Sequence, residues 1–308
     1  MDRMQDITPG DPESTEPQDD SLADPFAEHR RLLFGTAYRM LGTVTDAEDV
    51  LQDAWITWNG TDRDAVRNPR AYLVRTVTNL ALNRLTSARA TRETYIGPWL
   101  PEPVLTEPTA AEESEMADSV STAMLVVLET LTPVERAVFV LREVFGFSHA
   151  EIAGFIDRPE ATVRQISHRA RNHVQSRRPR CDSDSATRGE ITRKFLAAAH
   201  GGDVNALMEL LAPDVTLWND GGGKITAARR PLFGPDHVAR WMLGAMAKPS
   251  SAGAHLQPAE INGELGLLVL IGDHPLGALT YDILDGAILN IRFQVNPDKL
   301  AGLRREVE

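Results

Sequence analysis

The 308-residue sequence contains a single cysteine, Cys181. One thiol excludes an internal disulfide and is typical of a reducing compartment, so we expect a cytoplasmic protein. No apolar run reaches the ~18 residues that a membrane-spanning helix requires, and the N-terminus lacks the basic-then-apolar pattern of a signal peptide. No membrane partner is therefore expected. The length allows two or three domains, each with its own core.

Acidic residues outnumber basic residues, and the formal net charge is −12. Residues 1–24 carry eight acids against one arginine, and residues 91–119 carry seven acids against one arginine. By contrast, residues 67–92 hold six arginines and no acid, and residues 158–180 hold seven arginines and one acid. Local cationic clusters of this kind attract phosphate backbones, and the alternative is an ordinary solvated helix face. Both clusters lie on predicted helices, which favours nucleic-acid contacts.

Hydrophobic periodicity predicts a multidomain chain with two all-α domains followed by an α+β domain. The predicted division is a disordered acidic tail at 1–24, a helical domain at 25–90, a Pro-rich linker at 91–118, a second helical domain at 119–178, a linker at 179–186, an α+β domain at 187–300 and a tail at 301–308.

The first helical domain shows amphipathic segments at about 25–41, 46–59 and 69–88. Asp46 is expected to cap the second helix and Pro69 to open the third. Acidic side chains spaced four apart predict an acidic patch on the second helix. Two tryptophans follow at its end, and we expect one of them to pack in the core.

The second helical domain contains two capping boxes, TPVE at Thr132 and SHAE at Ser148. The second box opens a short helix that ends near Ile156, and a tight turn leads to a basic helix at about 159–175. This is the pattern of a helix-turn-helix. Asp157 takes the turn position because aspartate tolerates a left-handed conformation. The stripe expected to face the core is Val163, Ile166, Ala170 and Val174.

Longer motifs in both helical domains resemble a known family. DAEDVLQDAWITW, beginning at Asp46, and NPRAYLVRTVTNLALNRLTSARA resemble region 2 of the extracytoplasmic-function branch of the sigma-70 family. LTPVERAVFVLREVFGFSHAEIAGFIDRPEATVRQISHRARNHV resembles sigma region 4. The resemblance implies a transcription initiation factor whose partners are promoter DNA and core RNA polymerase, through its β′ clamp and β flap.

The resemblance also implies roles for individual residues. Family members often have an aspartate where this chain has Asn83, so no contact is assigned there. The acidic patch expected to dock on the polymerase clamp is Asp46, Glu48, Asp49, Gln52 and Asp53. The residues expected at the −10 element are Trp55, Trp58, Arg75, Asn79 and Arg84. The residues expected at the −35 element are Arg158, Arg164, Gln165, His168, Arg169 and Arg171.

In the C-terminal third, the hydrophobic pattern predicts both helices and strands. The predicted helices are 188–200, 204–211 and 236–247, and the predicted strands of an antiparallel sheet are 215–219, 224–229, 255–262, 265–272, 276–284 and 287–295. Hairpin turn signals occur at Asn262 and Leu284. Residues 187–300 resemble the SnoaL-like, ketosteroid-isomerase-like cone, which a subgroup of these sigma factors carries at the C-terminus.

Three short signatures of that subgroup are WLPEP, DGGGK and NPDKL. The glycine run is not a phosphate loop, because a strand rather than a helix is predicted after Lys224. We expect it to receive the linker, with Glu102 pairing to Lys224; a plain turn is the alternative. The predicted regulatory residues are Trp99, Leu100, Pro101, Glu102 and Pro103, then Asp220, Gly221, Gly222, Gly223 and Lys224, then Asn296, Pro297, Asp298, Lys299 and Leu300.

Other functions stay open at this point. A SnoaL-like cyclase or isomerase would need an acid or base in an apolar pocket, and the residues available by type are Asp214, Asp220, His237 and Asp282. No spacing selects a pair of them, so no catalytic residue, metal ligand or cofactor is predicted. A pocket that senses a small-molecule ligand is compatible with a sigma factor, whereas the region 2 resemblance argues against a simple repressor. No separate anti-sigma factor is expected to be required.

Overall fold

The computed structural model describes residues 24–106, 121–177, 184–225 and 227–303. Helices precede a mixed sheet domain, so the predicted fold class is confirmed. Most of the predicted acidic tail, Cys181 and the end of the C-terminal tail lie outside the described residues. No helix in the described ranges is long and apolar enough to cross a membrane.

The first helical module consists of three helices, α1 (Pro25–Leu41), α2 (Val44–Asn59) and α3 (Pro69–Glu93). Pro69 opens α3 as predicted. The predicted cap of α2 was wrong: Thr43 is the N-cap, and the Asp46 carboxylate instead accepts a hydrogen bond from the Thr43 hydroxyl at 2.6 Å.

The second helical module contains α4 (Thr122–Leu128), α5 (Pro133–Phe139), which continues through a π turn, α6 (His149–Ile156) and α7 (Glu160–Arg177). Both predicted capping boxes are formed. The Ser148 hydroxyl and backbone bind the Glu151 carboxylate, and these hydrogen bonds lower the pKa of Glu151. Asp157 ends α6 in the left-handed conformation, with φ of 51°. The predicted helix-turn-helix is therefore confirmed.

The C-terminal domain begins with α8 (Ser185–Gly201) and α9 (Val204–Glu209). The remaining elements are β1 (Leu211–Asp220), β2 (Leu232–Phe233), α10 (Pro235–Met246), β3 (Ala254–Ile261), β4 (Glu264–Ile271), β5 (His274–Leu284) and β6 (Ala287–Gln294), followed by short 3-10 turns at Pro297–Lys299 and Ala301–Leu303.

The sheet order is β2-β1-β6-β5-β4-β3. The sheet was predicted to be antiparallel, but β1 runs parallel to β6, its neighbour. The described residues of the strand expected at 224–229 do not form a strand, because the chain turns at Lys224 and bends at Ile225. The two hairpin signals are confirmed: Asn262 and Asp285 have φ values of 53° and 51° at the turns.

The described part of the linker runs along the C-terminal domain. Leu105 forms an antiparallel bridge with Ile261 on β3, which is an edge strand of the sheet. The Asn262 N–H donates to the Val104 carbonyl at 2.8 Å, and the Thr106 N–H donates to the Glu260 carbonyl at 3.0 Å. The linker thus adds a short piece of backbone to the sheet edge.

The two helical modules share one continuous hydrophobic core, which extends from Phe26 in α1 to Val174 in α7. The C-terminal domain has its own core between the concave sheet and helices α8 to α10. A smaller apolar cluster around Leu300 and Leu303 packs on the opposite face of the sheet, where Leu105 of the linker joins it.

Candidate nucleic-acid interface and interdomain junction

Helix α7 presents its basic face to solvent. Its predicted core stripe is buried, with Val163 and Ala170 both 0% exposed. The side chains left outside include Arg164, Gln165 and His168, which line a surface depression of about 430 Å³ together with Arg169. The structure therefore brings four of the predicted −35 residues together.

Two arginines at or beside this depression form ion pairs with acidic side chains. Arg164 pairs with Glu160 one turn earlier at 2.5 Å, and Arg171 pairs with Glu143 at 2.6 Å. Arg158, at the turn before α7, is exposed. Exposed pairs of this kind contribute only about 0–1 kcal/mol, so a phosphate could replace the carboxylate as partner.

The acidic patch on α2 is partly neutralised inside its own module. Arg84 on α3 donates to Asp46 at 2.8 Å and to Asp49 at 2.5 Å. Arg30 on α1 pairs with Glu48 at 2.7 Å. Gln52 and Asp53, further along α2, are exposed and complete the patch.

The two tryptophans of α2 have different environments. Trp58 is 1% exposed, and its indole N–H donates to the Asp24 carboxylate at 3.1 Å. The expectation that Trp58 meets DNA was wrong, because its ring packs in the core against Tyr72. Trp55 is 47% exposed, and Ile56 beside it is 57% exposed.

The predicted −10 residues on α3 differ in their exposure to solvent and in the partners of their side chains. Arg75 is exposed to solvent. The Arg84 guanidinium pairs with two carboxylates of α2, and this partly exposed group would have to exchange them for a phosphate in order to bind DNA. The side-chain amide of Asn79 donates to the carbonyl of Phe155 in α6 at 3.2 Å.

Further contacts join the two helical modules. The Arg70 guanidinium lies 4.7 Å from the centre of the Phe147 ring, a cation–π distance. The Arg136 guanidinium, 2% exposed, donates to the Arg39 carbonyl at 2.9 Å. Asn79, which was assigned to DNA, thus contacts the second module, while its side chain and that of Arg75 remain exposed.

Asp220, the last residue of β1, is the centre of the junction between the linker and the C-terminal domain. Its side chain is 0% exposed and has five partners, one of which is the Gln294 amide at 3.2 Å. One carboxylate oxygen accepts from the Leu100 N–H at 2.9 Å and pairs with Lys299 at 2.8 Å. The other accepts from the Tyr95 hydroxyl at 2.6 Å and from the Gly222 N–H at 3.0 Å. These partners offset the cost of burying the charge.

Lys299 ties the third signature to the linker. Its ammonium donates to the Leu100 carbonyl at 2.7 Å and lies 4.2 Å from the centre of the Trp99 ring. The Gln294 amide donates to the carbonyls of Leu100 and Pro101, both at 3.3 Å. Every one of these groups is buried or half-buried, so the linker is bound by a desolvated polar network.

Glu102 connects the linker to the first helical module. Its carboxylate accepts from the Val44 N–H at 2.8 Å, and its own N–H donates to the Gly42 carbonyl at 2.9 Å. The Tyr38 hydroxyl donates to the Glu102 carbonyl and accepts from the Asn262 amide of the C-terminal domain, each at 2.7 Å. Burial raises the pKa of Glu102.

The expected pair between Glu102 and Lys224 was wrong. Lys224 pairs with Asp298 at 2.5 Å, within the C-terminal domain, and both side chains are exposed. Glu102 is 4% exposed and uses its carboxylate at the start of α2 instead. The linker is held by Asp220 rather than by the lysine of the same loop.

Two glycines of the loop allow a close approach. Gly222 and Gly223 have positive φ values of 60° and 72°. A Cβ at Gly222 would overlap the Asn296 amide, and one at Gly223 would meet Ile96 of the linker at 3.0 Å. Glycine is therefore required here by conformation and by space.

The three signatures thus lie at one place, and sequence reasoning missed several residues that join them. Tyr95 was an aromatic signal within the linker and Asn262 was marked only as a hairpin turn, whereas Tyr38 and Gln294 had no local pattern to identify them. Within the described ranges, no group of three or more His, Cys, Asp or Glu residues could hold a metal ion.

Comparison with family models identifies both helical modules. Residues 26–91 match Sigma-70 region 2, and residues 121–174 match Sigma-70 region 4. The sequence resemblance found in each module is therefore confirmed.

Relatives of known family extend the similarity over the full length. The chain is 38% identical over 292 residues to the ECF RNA polymerase sigma factor SigJ of Mycobacterium tuberculosis, covering 90% of this chain and 92% of the relative. It is 30% identical to the probable ECF RNA polymerase sigma factor SigI of the same species, covering 94% and 98%. The crystal structure of M. tuberculosis SigJ superposes with a TM-score of 0.70 at 34% identity, covering 90% and 97%. The chain belongs to the extracytoplasmic-function sigma-70 family and is an RNA polymerase sigma factor.

Proposed function

We propose that α7 reads the −35 element, that α3 and the end of α2 engage the −10 element, and that the acidic face of α2 docks on the β′ clamp, with the second module at the β flap. The observation that carries the −35 assignment is the open depression formed by Arg164, Gln165, His168 and Arg169. Arginine and glutamine are suited to base edges in the major groove.

The free chain is proposed to be closed. Elements named for positions roughly 25 base pairs apart are separated by about 85 Å along B-DNA, at ~3.4 Å per base pair. Here α3 and α6 are in contact through Asn79 and Phe155. Since modules in contact cannot span that distance, engagement of both promoter elements requires them to separate.

The C-terminal domain is proposed to control this separation through the linker. Glu102 binds the first module while Leu100 binds Asp220 of the C-terminal domain. Thr122, in the first turn of α4, donates to the Asn262 side-chain carbonyl at 3.3 Å, so the second module contacts the same domain. An internal clamp of this kind makes a separate anti-sigma factor unnecessary.

Catalysis by the C-terminal domain is disfavoured by the positions of the four available acids and bases. Asp214 and His237 are exposed, whereas Asp220 and Asp282 are buried in ion pairs with lysine and arginine. None of the four lines the large cavity of this domain. A general acid or base must reach the reacting atoms, so a binding role is the better account.

A reversible crosslink between the modules tests the closed arrangement. Arg70 and Ala150 are exposed positions on α3 and α6, close to the contact of Arg70 with Phe147. In a Cys181→Ser background, Arg70→Cys and Ala150→Cys would be joined by a short cleavable bismaleimide. With core polymerase, we expect promoter-specific run-off transcription to fall more than tenfold and to return when the crosslinker is cleaved.

The matched control is the Arg70→Cys single variant treated with the same reagent, which should keep its activity. Full transcription by the crosslinked protein would contradict the need for separation. Absence of transcription and of polymerase binding in the unmodified chain would instead contradict the assignment of the polymerase and promoter surfaces.

A further inference from the structure

The C-terminal domain encloses a cavity of about 700 Å³ that no contact described above uses. It lies between the concave face of the sheet and helices α8 and α10. This volume is in the usual range for small-molecule sites. Most of its wall is apolar, as shown by Phe195, Trp241, Met246, Leu256, Leu279 and Phe293.

One polar side chain is buried in that apolar wall. Asn219, on β1, is 2% exposed, and its side-chain carbonyl oxygen is buried without a hydrogen-bond partner among the described residues. A buried acceptor without a partner is costly, and native structures rarely keep one without a reason. A ligand that brings an O–H or N–H group would satisfy it.

The charged groups in the lining have a single sign. Lys224 and Lys248 are both exposed and line the cavity, and no aspartate or glutamate is among the described residues that line it. Lys224 has Asp298 as a partner outside the lining. An anionic group of a ligand would therefore meet two lysines at the cavity wall.

We infer that this cavity binds an amphipathic organic anion with an apolar body, a hydrogen-bond donor that reaches Asn219, and an acidic group placed near Lys224 and Lys248. The class is a small apolar acid that also carries a hydroxyl or an N–H group. Catalysis is not part of the inference.

The position of Asn219 links the cavity to the linker junction. Consecutive residues of a strand point to opposite faces, and Asn219 lies beside Asp220, which binds Leu100 of the linker. Lys224 both lines the cavity and pairs with Asp298, next to the Lys299 that holds the linker. A bound acid would compete with Asp298 for Lys224. This coupling rests on the proposed clamp, whereas binding itself does not.

Binding can be measured on the full chain without polymerase, using 1-anilinonaphthalene-8-sulfonate as the probe. It carries apolar rings, one N–H and one anionic group. We expect saturable binding of one probe per chain, with energy transfer from tryptophan that decreases in Trp241→Phe. Asn219→Leu should weaken binding about tenfold, the effect of one lost hydrogen bond, while the melting temperature stays equal or rises.

Asn205→Leu is the matched control, since Asn205 is an exposed asparagine of the same domain. Val269→Trp, which fills the cavity from β4, should abolish binding and keeps the test decisive if Asn219→Leu does not fold. Absence of saturable binding, or equal affinity in the parent, Asn219→Leu and folded Val269→Trp chains, would overturn the site.

A second probe tests whether the ligand must carry an anionic group. N-phenyl-1-naphthylamine has the same rings and N–H but no anionic group, so the parent should bind it at least several-fold more weakly. That preference should shrink in the Lys224→Ala, Lys248→Ala double variant. Equal affinity of the parent for both probes would overturn the anionic part of the inference. Failure of either binding test would leave the promoter and polymerase assignments, which transcription tests, unaffected.

Discussion

The candidate DNA-reading faces of α7 and α3 differ in access. On α7 the basic residues stand in solvent around one depression, and the apolar stripe beneath them is buried. On α3 the Asn79 amide is bound to Phe155 of the other module, and Arg84 is held by Asp46 and Asp49. A cluster of arginines in the sequence therefore does not by itself define a free surface, because tertiary partners decide which cations remain available.

This difference gives the two faces different requirements. Under the proposed assignment, the α7 face can meet DNA as it stands, whereas the α3 face is engaged only after the second helical module moves away. The linker junction is proposed to set how readily the second module moves, since the junction binds both the first module and the C-terminal domain.

The largest effect is expected from Asp220→Ala, which would leave Lys299 buried without its carboxylate. Removal of one partner from a buried ion pair costs about 3–5 kcal/mol. The free energy of unfolding of the C-terminal domain should fall by that amount in urea titrations, and the linker should become sensitive to protease. Lys224→Ala is the matched control, because its pair with Asp298 is exposed and contributes about 0–1 kcal/mol. Similar losses in both variants would contradict the central position of Asp220.

A smaller effect is expected on the open face. Arg169→Ala should weaken binding of the polymerase complex to −35-containing promoter DNA by about 1–3 kcal/mol, and base preference should relax if the side chain reads a base edge. Arg193, exposed on α8, is a control position of the same residue type. Equal losses for Arg169→Ala and Arg193→Ala would show that only overall charge matters.

On the covered face, Asn79→Ala removes one hydrogen bond between the modules and should weaken their contact by about 0.5–1.5 kcal/mol. Amide hydrogen exchange in α6 of the free chain should become faster. Asn83→Ala, an exposed asparagine one turn along α3, should leave that exchange unchanged. If amide exchange were unchanged in both variants, contacts other than the Asn79 hydrogen bond would have to hold the two modules together.

The smallest effect concerns pH. Burial raises the pKa of Glu102 above that of the unfolded chain, so its contribution to stability is complete below the ordinary glutamate pKa and is lost as pH rises through the folded value. Glu102→Gln lacks this titration, while its amide oxygen can still accept from Val44. The variant should therefore gain stability relative to the parent as pH rises from about 4 to 8, measured by urea unfolding.

Glu209→Gln, at an exposed position of α9, is the control for a change of charge alone. A pH-independent difference between Glu102→Gln and the parent, or the same pH dependence in the Glu209→Gln control, would argue against burial as the cause.

Local features of the fold were predictable from sequence because neighbouring residues determine them. The capping boxes at Thr132 and Ser148, the buried stripe of α7 and the turn at Asn262 each depend on a few adjacent positions. The strand expected at 224–229 failed because alternation there was overridden by the glycine loop, whose shape is fixed by distant contacts with Asn296 and Ile96.

The junction was only partly predictable for the same reason. The three signatures marked its segments, but the partner of each side chain depends on which residues the fold brings together. Lys224 was expected to meet Glu102, and the residue that approaches it is Asp298. Tyr38, which contacts residues 64 and 224 positions away, could not be found from any local pattern.

The bridge between Leu105 and Ile261 has a consequence for the proposed open state of the protein. Open strand edges recruit other extended chains, and the linker backbone occupies this part of the β3 edge. Pro258, exposed on the same strand, has no N–H to offer and limits how far pairing could spread. In an open molecule whose linker had left β3, this short stretch of strand edge would be exposed and could pair with another extended chain. Continued binding to polymerase, or rapid return to the closed arrangement after release, would limit such pairing.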